Sequence, residues 1–267
     1  MYKRQEYDDI IQAASGMASY QEAYSDQPSY TSGATADKAT GLMLALSVVS
    51  SLFKRNKDNK DLEVEVPMFE TMVDFTLVEH LYGYNFLPPK DEPVYPRQSS
   101  PNRKPYETKD GFIAVLPYND EQWLRFLKFI KKEHLIKTKK FSTLENRNKN
   151  VDELYSLLVK ELKKEKTNFW IKKLREIDIP SMKINKPKDL FIDEHLKKTN
   201  FFKTYKHSTE GDLMYPRLPV YFNNERDNES KFEAPNLGNK TKEILIDLGY
   251  DKNEIENLRK EKVIFFE

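Results

Sequence analysis

An aspartate stands where a loop of small residues gives way to an apolar helix. Asp37 follows residues 24 to 36, which are dense in Ser, Thr, Gly and Pro, and it precedes the apolar run Gly41 to Phe53. The loop composition favours turns that leave the backbone open to a ligand. We expect Asp37 to be the N-cap of the helix, where the helix terminus supplies partial positive charge and free N–H groups.

A carboxylate in that position has two possible roles. It could attack an activated acyl group as a covalent nucleophile, with nearby backbone N–H groups holding the oxyanion. It could equally be an ordinary cap, since Asp is one of the residue types preferred at helix N-termini. The residue pattern alone favours the cap and leaves nucleophilic chemistry open.

Other kinds of reactive site are poorly represented in the sequence. There is no cysteine, which excludes disulfides, thiolate metal sites and a cysteine nucleophile. No P-loop, GxGxxG motif or hydrolase-type serine elbow is present. The mixed-charge run Asp58 to Glu65 is typical of a solvated segment. The sequence has four histidines, His80, His134, His195 and His207. No pair of them has metal-ligand spacing, so we expect no metal.

The composition limits the partners. The 267 residues carry 44 basic and 43 acidic side chains, a formal charge of +1, so no global field would attract nucleic acid or a membrane. We expect a small-molecule or protein partner and a cytoplasmic location. Gly41 to Phe53 is too short to cross a bilayer and indicates a buried helix. The first five residues, Met1 to Gln5, resemble a translated adapter rather than part of the fold.

The elements around Asp37 are predicted from apolar periodicity. A helix is expected from Tyr7 to about Ala23, weakened at Gly16, and the helix of Asp37 should end in the charged run Lys54 to Lys60. Leu62 to Val66 alternates as a strand, and Met68 to Tyr82 follows as a helix, both buried. Six prolines between Leu87 and Pro105 then indicate a linker.

A small α/β domain is predicted after this linker. Its expected elements are a strand at Gly111 to Leu116, a helix at Asp120 to Lys132, helices at Val151 to Lys164 and Thr167 to Ile177, and a strand at Ser181 to Ile184. Thr167 is expected to cap its helix. Extended segments at Phe201 to His207 and Leu213 to Phe222, a second linker at Asn223 to Lys231, and helices at Lys240 to Leu248 and Asn253 to Glu261 complete the chain.

Several segments resemble one known family. Tyr7 to Gly16, YDDIIQAASG, resembles the YDxxxQAxSG segment of class III CoA-transferases, the CaiB/BaiF or carnitine/formyl-CoA transferase-like family. Ala36 to Gly41, ADKATG, resembles the aspartate motif of that family. Three further segments agree in order and spacing: Pro67 to Glu70, Pro101 to Gly111, and Ala234 to Gly238.

The resemblance implies an α/β fold. It would comprise a Rossmann-like large domain whose N-terminal part is missing, an inserted small α/β domain, and an interlocked homodimer. The corresponding boundaries are probable adapter residues at 1–5, the remainder of the large domain at 6–90, linker and small domain at 91–205, and return linker with C-terminal helices at 206–267. Most contacts to CoA would lie before Tyr7.

The resemblance also implies an activity. Asp37 falls on the residue that attacks the acyl-CoA thioester to give a mixed anhydride, which CoA thiolate converts to an aspartyl-CoA thioester before an acceptor carboxylate completes the exchange. Coenzyme A would thus be a substrate, with a carboxylic acid as acceptor. Asp8 corresponds to a second acidic position that assists in some members, and Gln12 lies one helical turn later. Either residue could instead make a structural polar contact.

Two alternatives stay open. Racemases of the same fold carry a histidine where this chain has Tyr7 and use it with the aspartate for two-base proton transfer, so Tyr7 disfavours racemisation. The chain could also be an inactive fragment, because the apolar helix faces at Leu42 to Leu52 and Phe69 to Leu81 would lack partners. The glycine-rich loop of formyl-CoA transferases is missing between Tyr95 and Asp110, so a formyl or oxalate substrate is not expected.

Overall fold

The computed structural model describes residues 6–226 and 233–266. Contacts divide the chain into two compact units, Met1–Ile184 and Asn185–Glu267. The pentapeptide interpreted as adapter lies outside the described residues, and the domain boundaries inferred from the family resemblance stay a prediction.

Three short helices form the N-terminal segment, where one longer helix was expected. They are α1 (Asp8–Ala14), α2 (Met17–Tyr20) and α3 (Glu22–Ser25). The break between α1 and α2 falls at Gly16, whose φ of 81° lies in the left-handed region that glycine adopts without steric cost.

Two longer helices follow, α4 (Thr35–Asp58) and α5 (Met68–His80). The N-cap of α4 is Ala34, so the prediction that Asp37 is the N-cap is wrong, and Asp37 lies in the first helical turn. Leu62 to Val66 does not form the predicted strand, because no described segment pairs with it. Leu62 and Val64 are exposed rather than buried.

The apolar surface of α4 is mostly exposed. Only Ala36 of this helix is buried, while Leu42 is 74% and Phe53 is 76% exposed. The prediction of a buried helix is therefore wrong for this chain. The apolar side chains of α4 lie all around its circumference, whereas the elements that contact it most are α1 and α5. In α5, likewise, only Met72 and His80 are buried. Within the described residues no element covers these apolar faces. This agrees with the expectation that the faces at Leu42 to Leu52 and Phe69 to Leu81 would lack partners.

By length and composition alone, α4 could cross a membrane, with a mean hydropathy of 1.3 over its most apolar window. This is weak evidence, because core helices of soluble proteins meet the same criteria. The uncharged stretch between Lys38 and Lys54 is also shorter than the roughly 20 residues that span a bilayer.

The proline-rich linker has no helix or strand between residues 87 and 105, as predicted. Its middle is hydrogen-bonded to α2 and α5. The Tyr95 N–H donates to Nδ1 of His80 at 3.1 Å, and the Tyr20 hydroxyl donates to the Pro93 carbonyl at 2.9 Å. The Tyr20 and His80 rings stack with centroids 3.8 Å apart. We call these four residues the linker clasp.

The small α/β region that follows is built on an antiparallel sheet. Its strands are β1 (Tyr106–Thr108), β2 (Gly111–Val115) and β3 (Ser181–Lys183), in the order β1-β2-β3, with Ile113 paired to Tyr106 and to Lys183. Its helices are α6 (Asp120–Phe129), α7 (Leu144–Lys149), α8 (Val151–Leu162) and α9 (Thr167–Glu176). The predicted strands and the three long helices are confirmed, whereas β1 and α7 were not expected.

The core of this region explains why periodicity located the long helices. Apolar side chains spaced three or four residues apart converge on one cluster that includes Phe126, Leu154, Leu158, Trp170 and Leu174. The long helices α6, α8 and α9 each contribute one apolar stripe to this cluster.

The cap of α9 differs from the prediction. Thr167 is the first helical residue rather than the N-cap, which is Lys166. The Asp110 carboxylate accepts from the Thr167 N–H at 2.8 Å and from the Thr167 hydroxyl at 2.9 Å. These hydrogen bonds, led by the one from the backbone, hold the pKa of Asp110 below its usual value, against the opposing effect of burial.

The described part of the second unit contains a hairpin and three α-helices. These are α10 (Glu194–Lys198), β4 (Phe202–His207), β5 (Gly211–Pro216), α11 (Thr241–Asp247) and α12 (Lys252–Lys260). The strands pair antiparallel, with Phe202 opposite Pro216. The extended segment ends earlier than predicted because it reaches Pro216. Part of the second predicted linker lies outside the described residues.

Helices and sheets are thus both present, as an α/β fold requires. The described strands pair only antiparallel. The Rossmann-like sheet and the interlocked dimer stay predictions.

Candidate functional site

Asp37 presents an exposed carboxylate at the start of α4. Within the described part of the chain, that carboxylate accepts no hydrogen bond and joins no ion pair. Since it lies in the first helical turn, the helix dipole stabilises its negative charge. The side chain is therefore available to react with a bound molecule.

The helix carrying Asp37 is capped by a residue distant in sequence. Oδ1 of Asp8 accepts from the backbone N–H of Ala36 at 2.7 Å and from that of Asp37 at 3.1 Å. These are the donors that an N-cap side chain normally satisfies, and Ala34 at the N-cap has no acceptor. The expectation that these first N–H groups are free to hold an oxyanion is therefore wrong: Asp8 uses them.

The electrostatics of Asp8 follow from this arrangement. Burial acts to raise the pKa of its carboxyl, but hydrogen bonds from Gln12, Asp37 and Ala36 and the charge of Lys38 outweigh it, so the pKa lies below its usual value. Asp8 thus remains an anion, suited to accept hydrogen bonds rather than to give up a proton.

Gln12 connects Asp8 to the loop before α4. This fully buried side chain donates through Nε2 to Oδ2 of Asp8 at 2.5 Å. Its Oε1 accepts from the Thr31 N–H at 2.9 Å and from the Thr31 hydroxyl at 3.0 Å. The Thr31 hydroxyl also lies 3.0 Å from that of Thr35. The structure therefore brings together Asp8, Gln12 and the backbone of Asp37, and the roles that the resemblance implies for them stay a prediction.

The loop also offers groups that sequence reasoning missed. The N–H groups of Ser32, Gly33 and Ala34 have no acceptor among the described residues. Lys38 folds back over this loop, with Nζ 3.7 Å from where a Cβ on Gly33 would lie. Unpaired donors and an ammonium near Asp37 are groups that could stabilise developing negative charge. Loop composition hinted at the donors, but no sequence signal indicated Lys38.

A small core holds the three supporting helices together. Ile11 from α1, Ala36 from α4 and Met72 from α5 are buried against one another. Ile11 precedes Gln12, and Ala36 precedes Asp37, so packing at this core fixes both polar residues. Tyr7 lies outside the core, exposed at the N-cap of α1 without a side-chain capping bond.

A metal centre is not apparent in the part of the chain that the structure describes. No group of three or more His, Asp or Glu side chains there is placed to hold an ion. His80 belongs to the linker clasp, where burial lowers its pKa against the raising effect of Glu79.

Comparison with known sequences identifies the family. The sequence profile of CoA-transferase family III matches residues 2–241. The chain belongs to CoA-transferase family III. The matched range contains Asp8, Gln12 and Asp37, so the whole capped site lies within the family III region.

Two curated family III relatives are similar over most of the chain. The (R)-2-hydroxy-4-methylpentanoate CoA-transferase of Clostridioides difficile is 29% identical over 89% of this chain and 59% of its own length. The human succinyl-CoA:glutarate CoA-transferase is 26% identical over 96% of this chain and 58% of its own length. The chain thus spans about three-fifths of these relatives.

A solved structure shares the fold. A CaiB/BaiF family protein from Brucella suis superposes with a TM-score of 0.66 at 23% identity, covering 92% of this chain and 64% of that one. At this identity the likeness concerns the fold alone.

Proposed function

We propose that this family III chain belongs to an enzyme that transfers CoA between an acyl-CoA thioester and a carboxylic acid, with Asp37 as the nucleophile. The observation that carries the proposal is the Asp37 carboxylate, which is exposed and has no hydrogen-bond partner among the described residues, at the helix terminus that Asp8 caps. The curated relatives described above carry transferase names, which supports transfer over isomerisation.

The proposed reaction begins with attack of a carboxylate oxygen of Asp37 on the thioester carbonyl. A C–O bond forms, the C–S bond breaks, and CoA leaves as the thiolate. The thiolate then attacks the Asp37 carbonyl of the mixed anhydride and releases the donor acid. The acceptor carboxylate next attacks the aspartyl-CoA thioester, which expels CoA thiolate and forms a new mixed anhydride. The thiolate then attacks the acceptor acyl carbonyl of this anhydride, which yields the new acyl-CoA and releases the Asp37 carboxylate.

In this proposal Asp8 and Gln12 are positioning residues. Asp8 orients the first turn of α4, and Gln12 holds both Asp8 and the Thr31 loop. The free N–H groups of that loop and the Lys38 ammonium would stabilise the oxyanion, in place of the helix N–H groups that Asp8 occupies.

The test is trapping of the acyl-enzyme with hydroxylamine. We expect acyl-CoA to make Asp37 reactive toward hydroxylamine, and Asp37→Ala to abolish this modification. Asp58→Ala removes an exposed carboxylate from the other end of α4 and should leave the modification unchanged. Normal turnover by Asp37→Ala would overturn the proposal.

Proton transfer without CoA exchange is the competing chemistry. It would incorporate deuterium at the acyl α-carbon in the absence of any acceptor acid. Tyr7 is exposed where the racemase resemblance requires a histidine base, which weighs against this reaction.

A second candidate is that the 267-residue chain by itself is inactive. It rests on the exposed apolar surface of α4 and on the coverage of about three-fifths of the curated relatives. Stoichiometric CoA binding with turnover by the chain would exclude it.

We further propose a cytoplasmic homodimer, and light scattering of the chain tests the dimer.

A further inference from the structure

A cavity in the small α/β region lies apart from the residues of the Asp37 site. It has a volume of about 210 Å³ and is enclosed by the linker, α6, α7 and α8. Its charged lining residues are Arg97, Asp120 and Arg147, and its aromatic ones are Tyr95, Tyr118, Trp123 and Tyr155. Asp8, Gln12 and Asp37 do not line it.

Arg147 is the unusual residue of this cavity. It is 3% exposed, donates through Nη1 to the Phe141 carbonyl at 2.8 Å, and forms an ion pair through Nη2 with Asp120. Its buried Nε has no hydrogen-bond partner among the described residues. Arg147 thus neutralises the carboxylate of Asp120, the acidic residue of the cavity lining.

Arg97 supplies a second cation. Its Nε donates to the Tyr155 hydroxyl at 3.2 Å, and its guanidinium lies 4.9 Å from the centre of the Tyr118 ring. Within the described residues Arg97 pairs with no carboxylate. Because Asp120 already pairs with Arg147, the cavity lining has an excess of one positive charge.

The lining therefore favours a particular class of ligand. Guanidinium groups match the planar geometry of a carboxylate, while Trp123, Val151 and Leu154 provide an apolar wall. The volume is below the roughly 300–1,000 Å³ of drug-sized sites, which indicates a small ligand. We propose that this cavity binds a small organic acid as its monoanion, with the carboxylate at Arg97 and the carbon body against Trp123.

Benzoate is a suitable probe, and the two tryptophans provide the readout. Trp123 lines the cavity, whereas Trp170 is buried in the core and donates its indole N–H to the Leu162 carbonyl. In NMR spectra of the 267-residue chain, benzoate should shift the Trp123 indole signal saturably, with a Kd in the millimolar range, and leave Trp170 unmoved.

Charge dependence is tested with a matched pair of variants. Arg97→Gln should weaken benzoate binding at least about tenfold. Arg175→Gln removes the same charge from an exposed position on α9 and should bind like the native chain. An unchanged Trp170 signal verifies that Arg97→Gln is folded; if it is not, benzamide, the neutral analogue, should bind the native chain at least about tenfold more weakly than benzoate.

Three results would overturn the proposal. They are absence of a saturable Trp123 shift, equal binding of benzoate and benzamide, and binding of inorganic phosphate as tight as that of benzoate. The last would make the cavity a site for inorganic oxyanions. All three are read from binding alone, so they are independent of whether Asp37 forms an acyl-enzyme.

Discussion

Oδ1 of Asp8 lies 3.1 Å from the backbone nitrogen of Asp37 and thereby caps the helix on which Asp37 stands. The same oxygen holds the N–H of Ala36. A second helix of the chain is capped in the same way, since Asp110 holds the first residue of α9. Neither helix has a capping side chain at its own N-cap position.

Removing the Asp8 carboxylate should destabilise the chain and impair the site. We expect Asp8→Ala to lower the free energy of unfolding by about 1 kcal/mol, the usual cost of a lost cap, measured by urea denaturation. Hydroxylamine modification of Asp37 should slow as well, because the first turn of α4 loses its orientation.

Asp9 supplies the control for this prediction. It is the neighbouring exposed carboxylate, and Asp9→Ala should change neither property. Because the folded pKa of Asp8 is depressed, its ionic contribution is fully present above the unfolded value of 3.8 and is lost as pH falls through the lower folded pKa. Equal stability of Asp8→Ala and Asp9→Ala at neutral pH would contradict the cap.

Gln12 should control the order of the Thr31 loop. Gln12→Met keeps the length of the side chain but leaves Oδ2 of Asp8 and the N–H of Thr31 without their partner, at a cost of about 1–3 kcal/mol. Amide hydrogen exchange at Thr31 should accelerate. The Ser29 amide, which donates to Ala18, is the internal reference and should keep its rate. Uniform acceleration at both amides would indicate global destabilisation instead.

His80 should make the stability of the linker clasp depend on pH. Burial depresses its folded pKa below the ordinary 6.5, against Glu79, and its Nδ1 must be unprotonated to accept from Tyr95. The unfolded chain therefore binds more protons, so the free energy of unfolding should fall as pH drops below 6.5, levelling off below the folded pKa.

His80→Gln should flatten this dependence in urea denaturation between neutral pH and pH 5, since glutamine does not titrate. His134 is exposed, so His134→Gln should keep the native slope. A native slope in His80→Gln would assign the pH dependence to another group.

Truncations of two leucines should distinguish covered from uncovered helices. Leu158 is fully buried in the α8 core, so Leu158→Ala should cost about 2–5 kcal/mol. Leu46 on α4 is 63% exposed, and Leu46→Ala should change stability by no more than about 0.5 kcal/mol. A large cost for Leu46→Ala in the 267-residue chain would mean that this face is covered in solution.

The sequence could predict the elements in which buried apolar residues recur at one clear spacing. The helices α6, α8 and α9 were located because each buries one apolar stripe. The prediction of burial failed for α4. Its apolar residues lie all around the helix rather than on one stripe, and burial was inferred from composition alone.

Much of the site was less accessible to sequence reasoning. The motif resemblance named Asp8, Gln12 and Asp37, whose roles stay a prediction, and it did not reveal that Asp8 caps α4 or that Thr31 completes the network. Such contacts join residues separated by 19 to 29 positions, and local propensity contains no information about them.

The separation in sequence between Asp8 and the helix that it caps also affects the order in which the chain can acquire its structure. A helix capped by its own neighbours can form locally within microseconds, whereas α4 gains its capping carboxylate only after the intervening loop has closed. Correct geometry at Asp37 therefore requires α1 to be in place, and the reactivity of its carboxylate would report on the assembly of α1 against α4.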